Sequence, residues 1–268
     1  MSTQLSAPTT ALITLTSDFG LHDPYVGIMR SRILLRAPHI PVVDLTHAIT
    51  PFMPEEAGYW LYCCYPQFPA GTAHVAVVDP GVGSARAIVV LCAAGQYFIA
   101  PDNGLLGLIA ATCADAVAYR VEMQALDALQ FPARSATFHG RDVMGPLAAE
   151  LAAARVDPAR LGPRHRLEAG RLRPAVRAAD GSVRGTIAVI DHFGNALTTI
   201  PAAAIGSMQR VQLHPDGRLL RRVGTYAEAA PGECVALVNS AAMLELCARQ
   251  ASAAAVLNAY PGQQVKVS

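Results

Sequence analysis

The run AHVAVVDPGVG, residues 73–83, decides the fold, because it is apolar without alternation and then ends in an acidic Pro-Gly turn. A strand of this kind is typical of a parallel sheet that helices cover on both faces. Strand-like and helical runs alternate on either side of it, which predicts an α/β domain with a mostly parallel central sheet over residues 11–160. The other strand-like runs of this half are ALITLTSDFG (11–20), PVVDLTH (41–47), AIVVLCAA (87–94) and QYFIAPDNG (96–104), and the helical runs are 23–35, 54–65 and about 141–154.

The second half of the chain has a different pattern. Residues 155–182 are rich in Arg, Pro and Gly without sustained periodicity, and 161–182 are predicted to be a linker. Short strand-like runs separated by turns follow, interrupted by one predicted helical segment at 242–253. Residues 183–268 are therefore predicted to form a smaller, mostly β domain that resembles a barrel.

The composition favours a cytoplasmic protein with a small-molecule partner. Of 268 residues, 52% are hydrophobic and 15% are charged, the net charge is +1 and the mean hydropathy is +0.31. No apolar run reaches the roughly 18–20 residues of a membrane span, and the first residues lack the basic and apolar regions of a secretory leader. The absence of Lys/Arg blocks argues against nucleic acid as a partner. The six cysteines show no CxxC spacing, which favours free thiols in a reducing compartment.

Acidic residues follow three of the predicted strands. Asp18, Asp79 and Asp102 each come directly after an apolar run, where the carboxyl ends of parallel strands bind ligands. A carboxylate at Asp18 suits the two hydroxyls of a ribose, although an aspartate at such a point also caps turns.

The turn after residue 78 contains an aspartate and an arginine that can form an ion pair. Arg86 follows Asp79 closely enough that chain reversal brings its guanidinium back to the carboxylate. The alternative is a structural turn with a surface ion pair. The turn lacks both the third glycine of a dinucleotide fingerprint and a Walker lysine, so a phosphate cradle is not indicated.

A histidine adds an acid–base group to the same half of the chain. His139 precedes the pair Arg141-Asp142 at a predicted helix start. Its side chain suits proton transfer near neutral pH, although a lone histidine is often structural.

Two turn motifs in the second half carry recognition groups. In IDHFGN (190–195), Phe can stack on a planar ring and Asn can read its hydrogen-bonding edge, while a hairpin turn favours the same Gly and Asn. In VNSAAMLE (238–245), Asn239 and Ser240 are predicted to precede a helix whose terminal amide groups suit a carboxylate.

Metal-dependent hydrolysis is another interpretation of the same residues. The donors lie on separate segments, and no HxxxH, HExxH or Cys/His cluster groups them. A GxSxG nucleophile elbow is also absent. The residues alone therefore indicate a ligand-binding α/β enzyme with acid–base groups and leave its reaction open. The candidate metal donors are Asp18, Asp79, His139, Asp191 and His192.

Eight motifs, taken in order, resemble the S-adenosylmethionine hydroxide adenosyltransferase family, which is related to the fluorinating and chlorinating adenosyltransferases. The resemblance runs from about residue 13 to residue 267, and eight ordered motifs are far more specific than any one of them. They are TSDFG (16–20), DPYVG (23–27), ITPFMPEE (49–56), VVDPGVG (77–83), APDNG (100–104), FHGRD (138–142), IDHFGN (190–195) and VNS (238–240).

This resemblance implies the fold predicted above and a homotrimer with the substrate held between domains of neighbouring subunits. It implies S-adenosyl-L-methionine and adenosine as ligands, no cofactor, and a water-activating set of Asp79, Arg86 and His139. The implied substrate-binding residues are Asp18 for the ribose hydroxyls, Phe52 near the ribose, Asp191 and Ser240 for the methionine amine and carboxylate, Phe193, Asn195 and Tyr226 around the adenine, and Tyr25, Asn103 and Asn239 elsewhere in the site.

The implied reaction is hydrolysis of S-adenosyl-L-methionine to adenosine and L-methionine, with water attacking the ribose 5′ carbon. The halogenating relatives carry an aromatic residue where this chain has Asp79, and a carboxylate at that position repels a halide. Two alternatives stand beside this reaction: a metal-dependent phosphohydrolase, and a sensor that binds S-adenosylmethionine without turnover.

Overall fold

The computed structural model describes residues 11–132 and 134–268, which form two compact units. One unit ends at Gly170 and the other begins at Arg171. The predicted fold class, an α/β part followed by a barrel-like β part, is confirmed. The predicted limits of the domains and the linker stay predictions. Among the described residues, no helix is long and apolar enough to cross a membrane.

The first unit contains a six-stranded sheet. Its strands are β1 (Ile13–Ser17), β2 (Val42–Thr46), β3 (Ala73–Val77), β4 (Ile88–Ala93), β5 (Gln96–Pro101) and β6 (Val117–Arg120). The strand order is β2-β1-β3-β5-β4-β6, with parallel pairing from β2 to β5 and antiparallel pairing of β4 with both neighbours. β4 and β5 are antiparallel because only Ala94 and Gly95 join them, both with positive φ, as in tight hairpin turns.

Helices supply apolar side chains to both faces of this sheet. They are α1 (Tyr25–Arg36), α2 (Pro54–Cys64), α3 (Gly107–Thr112), α4 (Met123–Ala128) and α5 (Gly145–Ala152). Val75 and Val77 of β3 pack into a core with residues of α1 and α5. Ala76 and the following Val78 pack into a second core with residues of α2 and α3. Two apolar covers therefore explain why the run from residue 73 lacks polar alternation.

The helix predicted at about 141–154 begins as a π-helical turn, Gly140–Met144, that continues into α5. Asp142 is fully buried inside this turn. Its carboxylate accepts hydrogen bonds from the Arg141 guanidinium and from the Ser135 backbone N–H. These bonds tie down the loop that leads into the helix.

The second unit is an antiparallel sheet that nearly closes on itself. Its strands are β7 (Val176–Arg177), β8 (Val183–Ile190), β9 (Ala196–Pro201), β10 (Arg210–Leu213), β11 (Arg218–Arg221), β12 (Cys234–Val238), β13 (Met243–Ala248) and β14 (Gln264–Val267), with short helices α6 (Ala202–Ile205) and α7 (Ala253–Leu257). The order is β11-β10-β14-β8-β9-β13-β12, with β7 beside β8. A bridge between Arg222 and Ala236 joins the chain after β11 to β12, which gives the barrel-like form.

The helix predicted at 242–253 is wrong. Most of that segment is β13, which pairs with β12 and β9, and α7 begins only at Ala253. Leu244 and Leu246 face the main core of the unit, while Cys247 faces a smaller cluster. A short apolar run fits both helical and strand periodicity, and here the pairing with two strands decides its structure.

Candidate functional site

A cleft of about 800 Å³ opens in the first unit beyond the carboxyl ends of β1 and β3. This size is typical of small-molecule sites. Five residues that the sequence analysis selected line it: Asp18, Tyr25, Phe52, Asp79 and His139. The parallel arrangement of β1 and β3 places the residues that follow them at one sheet edge, as expected for this kind of fold.

Asp79, Arg86 and His139 form one hydrogen-bonded group. Arg86 donates through Nε to Asp79 Oδ1 at 2.9 Å and through Nη2 to Asp79 Oδ2. Arg86 Nη2 also lies 2.8 Å from His139 Nδ1. The side chains of Asp79 and Arg86 are only 6% and 10% exposed, so this is a sheltered ion pair rather than a surface one.

The turn between Asp79 and Arg86 packs against the loop that leads to His139. Gly83 has a φ of +81°, and a Cβ there would lie 2.9 Å from the carbonyl oxygen of Ala136. Only glycine meets both demands without strain. This contact explains how residues distant in sequence assemble around one guanidinium.

The contact with Arg86 fixes the tautomer of the neutral His139 ring. A guanidinium has only donors, so His139 Nδ1 must accept, and the neutral ring carries its proton on Nε2. Burial first, and then the charge of Arg86, lowers the pKa of His139, against the opposing effect of Asp79 and Asp142. In this geometry His139 keeps no free acceptor nitrogen, whereas the oxygens of Asp79 keep lone pairs that can accept a hydrogen bond from a water.

Asp18 lies on a loop that hydrogen bonds hold from several sides. Its Oδ2 accepts the backbone N–H of Phe52 at 3.1 Å. The preceding Ser17 is fully buried, and its hydroxyl lies 2.7 Å from Nδ1 of His47, whose carbonyl accepts the N–H of Gly20. The carboxylate of Asp18 is therefore fixed at the rim of the cleft.

Three aromatic rings form one wall of the cleft. The ring centroids of Phe19, Tyr25 and Phe138 lie 5.6–5.8 Å apart in edge or tilted arrangements. The guanidinium of Arg141 sits 5.1 Å from the centroid of Phe138. Phe19 and Phe138 were not selected from the sequence, although both lie inside quoted motifs next to selected residues.

The motif APDNG lies outside the cleft lining, and the assignment of Asn103 to the substrate stays a prediction. Asp102 does not line the cleft: its carboxylate accepts from His165 Nε2 at 2.6 Å and from the N–H of Glu168 at 2.9 Å. Asn103, which the resemblance assigns to the substrate, donates through Nδ2 to the carbonyl of Val78 at 2.9 Å and lies outside the cleft lining. In the structure Asn103 thus supports the backbone directly before Asp79.

The second unit has its own pocket, of about 640 Å³. Phe193, Asn195 and Tyr226, the residues assigned to the adenine, all line it. The remaining lining comes from residues 248–252 at the end of β13, and the helix predicted for this segment does not indicate such a place for them.

A glycine in the turn between β8 and β9 brings the two sides of this pocket together. Gly194 has a φ of +83°, and a Cβ there would overlap Ser252. Its carbonyl accepts the N–H of Ala254 at 2.8 Å. Within the turn, Asp191 accepts the backbone N–H groups of Phe193 and Asn195 and the side-chain amide of Asn195. Asp191 therefore shapes the turn that presents Phe193.

Asn239 and Ser240 lie in the turn between β12 and β13, so the expectation that they precede a helix is wrong. Asn239 Oδ1 accepts the N–H groups of Ala241 and Met243, and Ser240 is exposed. The side-chain amide of Asn239 donates to the buried carboxyl of Glu245 at 3.2 Å. Glu245 follows the motif VNS (238–240), which singles out only Asn239 and Ser240.

The candidate metal donors do not converge. Among the described residues, no group of three or more His, Cys, Asp or Glu side chains lies close enough to hold a metal ion. His192, one of those candidates, is exposed and its ring contacts that of Phe193.

Comparison with known proteins gives one family for both units. The model of the SAM hydroxide adenosyltransferase N-terminal domain matches residues 13–162, and that of the C-terminal domain matches residues 185–266.

Similar proteins cover nearly the whole chain. A Thermus thermophilus protein named (R)-S-adenosyl-L-methionine hydrolase is 37% identical over 94% of this chain and 97% of its own length. A Salinispora arenicola protein of the same name is 36% identical over 97% and 98%. A fluorinase of Actinoplanes sp. is 29% identical over 96% and 97%. The crystal structure of an uncharacterized Thermotoga maritima protein superposes with a TM-score of 0.84, at 30% identity over 96% of this chain and 99% of that one.

Proposed function

The chain belongs to the SAM hydroxide adenosyltransferase family, and we propose that it hydrolyses S-adenosyl-L-methionine to adenosine and L-methionine. The observation that carries the proposal is the carboxylate of Asp79, which lies in the cleft, held by Arg86 beside His139. This group provides a proton acceptor where an attacking water needs one.

The reaction balances without a leaving-group acid. The oxygen of water bonds to the 5′ carbon of the ribose while the carbon–sulfur bond breaks. The electron pair of the broken bond goes to the positively charged sulfur. Methionine leaves as a neutral thioether, adenosine keeps one hydrogen of the water, and the other leaves as a proton. Each turnover therefore releases one proton to the solvent.

The roles of the three residues follow from their hydrogen bonds. Asp79 accepts the proton of the attacking water, since the Nδ1 of His139 is already occupied by Arg86. Arg86 fixes the orientation of the carboxylate through two bonds. His139 holds the guanidinium from the other side and presents Nε2–H as a donor. Orientation of this kind contributes to catalysis by aligning water with the reacting carbon.

The substrate contacts divide by unit. In the first unit, Asp18 receives the ribose hydroxyls, and Phe52 packs near the ribose; Tyr25 forms part of the aromatic wall. In the second unit, Phe193 and Asn195 contact the adenine.

The remaining contacts of the second unit are assigned by chemistry. Tyr226 completes the adenine pocket, Asp191 suits the methionine ammonium, and Ser240 suits the carboxylate. What supports these assignments is the shared pocket of Phe193, Asn195 and Tyr226 and the exposure of Ser240 in the neighbouring turn.

Water rather than a halide is the nucleophile. Asp79 places a negative charge in the cleft, and a like-charged halide entering it would be repelled in a partly dry environment. A neutral water is not repelled, and it gains a proton acceptor. The same carboxylate therefore favours hydrolysis and disfavours halogenation.

The proposal also includes the cellular location, the metal requirement, the oligomeric state and the stereochemistry of the substrate. The enzyme acts in the cytoplasm, needs no metal, and assembles as a homotrimer with sites at subunit interfaces. Relatives carry the prefix (R) in their names, and the proposal extends to the (R) epimer at sulfur. Separate assays of the two sulfur epimers and the molecular mass in solution check these points directly.

The experiment is chromatography of purified protein incubated with S-adenosyl-L-methionine and a chelator, at low and high chloride. Equal amounts of adenosine and methionine at both salt levels are expected. Activity lost to the chelator would instead support a metal-dependent hydrolase, and chlorinated adenosine would make halide the nucleophile. Tight binding with no product would support the sensor. The matched control is Asp79→Asn, which keeps the size of the side chain and removes the charge.

A further inference from the structure

Glu245 is a buried acid that the proposed mechanism does not use. It lies in the middle of β13 and is only 3% exposed. Of the described residues, those that act on its carboxyl are Tyr226, Asn239 and Asp191, none of which is a cation. Burial without a compensating cation is costly and raises its pKa, so a carboxyl in this position calls for a specific explanation.

The two oxygens of this carboxyl bind two different parts of the second unit. The hydroxyl of Tyr226 donates to Oε1 at 2.7 Å, and the side-chain amide of Asn239 donates to Oε2 at 3.2 Å. Tyr226 lines the pocket assigned to the adenine. Asn239 forms the turn that carries Ser240, the residue assigned to the methionine carboxylate.

The orientation of both partners depends on this carboxyl. Asn239 Oδ1 is occupied by two backbone N–H groups, so its Nδ2 must point the other way, toward Glu245. The Tyr226 side chain is nearly half exposed, and its hydroxyl bond to Glu245 fixes the far end of the ring. A carboxylate offers one acceptor to each of the two donors, whereas a glutamine keeps the present bond to only one of them.

We infer that Glu245 is a positioning residue that sets the adenine wall at Tyr226 and the methionine turn at Asn239 in one fixed arrangement. This inference rests on the proposed function, because it assigns those two places to the two ends of S-adenosyl-L-methionine. Glu245 does not touch the reacting atoms. Its loss therefore weakens binding, while the chemical step on bound substrate continues.

The test compares adenosine affinity, measured calorimetrically on the full-length protein, for the wild type, Glu245→Gln, Tyr226→Phe and the double variant. In Glu245→Gln the new NH₂ group cannot keep both present bonds: facing Asn239 it loses a bond, and facing Tyr226 it makes the hydroxyl accept instead of donate. Each single change is expected to weaken adenosine binding by roughly five- to tenfold. The double variant should bind no more weakly than the weaker single variant, because both changes remove the same contact.

Steady-state kinetics with S-adenosyl-L-methionine distinguishes the effect of Glu245 on Tyr226 from its effect on Asn239. Glu245→Gln also disturbs Asn239, so it should raise KM for S-adenosyl-L-methionine more than Tyr226→Phe does, with kcat within about threefold of wild type for both. Glu150→Gln is the matched control. Glu150 is another buried carboxylate, but it pairs with Arg36 and Arg155 in the first unit. Its loss should lower the melting temperature and leave the adenosine affinity unchanged.

The outcomes separate this inference from the proposed function. Wild-type protein that neither binds adenosine nor hydrolyses S-adenosyl-L-methionine would overturn both. Wild-type activity, with Glu245→Gln showing a lower melting temperature but unchanged adenosine affinity, would overturn only the positioning role. If Glu245→Gln does not fold, Tyr226→Phe still tests the contact, and an unchanged affinity of that variant contradicts the inference.

Discussion

The cleft of the first unit and the pocket of the second unit contain different kinds of side chain. The cleft contains an ion pair and a histidine that are sheltered from solvent and fixed by one guanidinium. The pocket is formed by two turns and the end of a strand, and it offers an exposed aromatic ring and an amide. This difference supports the proposal that the first region carries the chemistry and the second carries recognition, because proton transfer needs fixed charge while a flat, neutral base needs stacking and hydrogen bonds.

Substitutions in the cleft and in the pocket should therefore change different kinetic constants. Changes in the cleft should lower kcat, since they alter contacts that matter as the water attacks. Changes in the pocket should raise KM, since they alter contacts that are equal in the bound substrate and the transition state.

The largest effect is expected for Asp79→Asn. The amide cannot accept the proton of water, and its NH₂ group would face the donors of Arg86. We expect kcat to fall by about 10²–10⁴-fold while the affinity for S-adenosyl-L-methionine stays within a few-fold. Single-turnover kinetics and calorimetric titration measure the two quantities separately. An unchanged kcat would show that Asp79 does not take part in the reaction, and the two regions would then not differ in the way proposed.

A smaller effect, of the opposite kind, is expected for Phe193→Ala. The ring is 76% exposed and contacts little of its own chain, so its loss should not disturb the fold. Loss of stacking on the base should raise KM by roughly tenfold, with kcat within about twofold. Steady-state assays over a range of substrate concentrations give both constants. A drop in kcat comparable to that of Asp79→Asn would show that the pocket takes part in the chemistry.

The pH profile tests the state of His139. Burial, and then the charge of Arg86, lowers its pKa below the ordinary value of 6.5, so the neutral ring that accepts from Arg86 persists as the pH falls through 6.5. We therefore expect kcat/KM to stay level from neutral pH to below 6.5 and to fall only at more acidic pH. A loss of activity that begins at or above pH 6.5 would contradict this assignment.

The smallest effect on activity is expected for a histidine outside both regions. His74 is fully buried in the sheet, its ring stacks on Phe98, and burial lowers its pKa to about 4. Because only the unfolded chain is protonated between pH 6.5 and 4, stability is complete above this range and falls by about 3 kcal/mol across it. Denaturant unfolding of wild type and His74→Gln at several pH values measures this, and the variant should have a flatter profile with kcat unchanged. A profile for the variant as steep as that of wild type would contradict it.

The cleft could be predicted from the sequence more fully than the pocket. Asp18 and Asp79 stand directly after apolar runs, and parallel strands bring such residues to one edge regardless of how far apart they are in the chain. His139 was found by its chemistry. The support given by Asn103 and His47 could not be predicted, because it depends on which backbone groups lie next to them in the folded sheet.

The pocket was only partly predicted because its framework is a hairpin that looks helical in sequence. Residues 242–253 contain many alanines and leucines, and the pairing of β13 with β12 and β9 overrides their helical preference. That misassignment hid residues 248–252 and Glu245. Phe193 and Asn195 were found because a turn motif fixes their spacing, independent of the strands around it.

The most direct test of the central claim is the reaction in water enriched in ¹⁸O. If water attacks the 5′ carbon, mass spectrometry will find ¹⁸O in the 5′-hydroxyl of adenosine and none in methionine. Adenosine without the label, or a 5′-halogenated nucleoside in its place, would contradict the account, since the oxygen would not have come from a water activated beside Asp79.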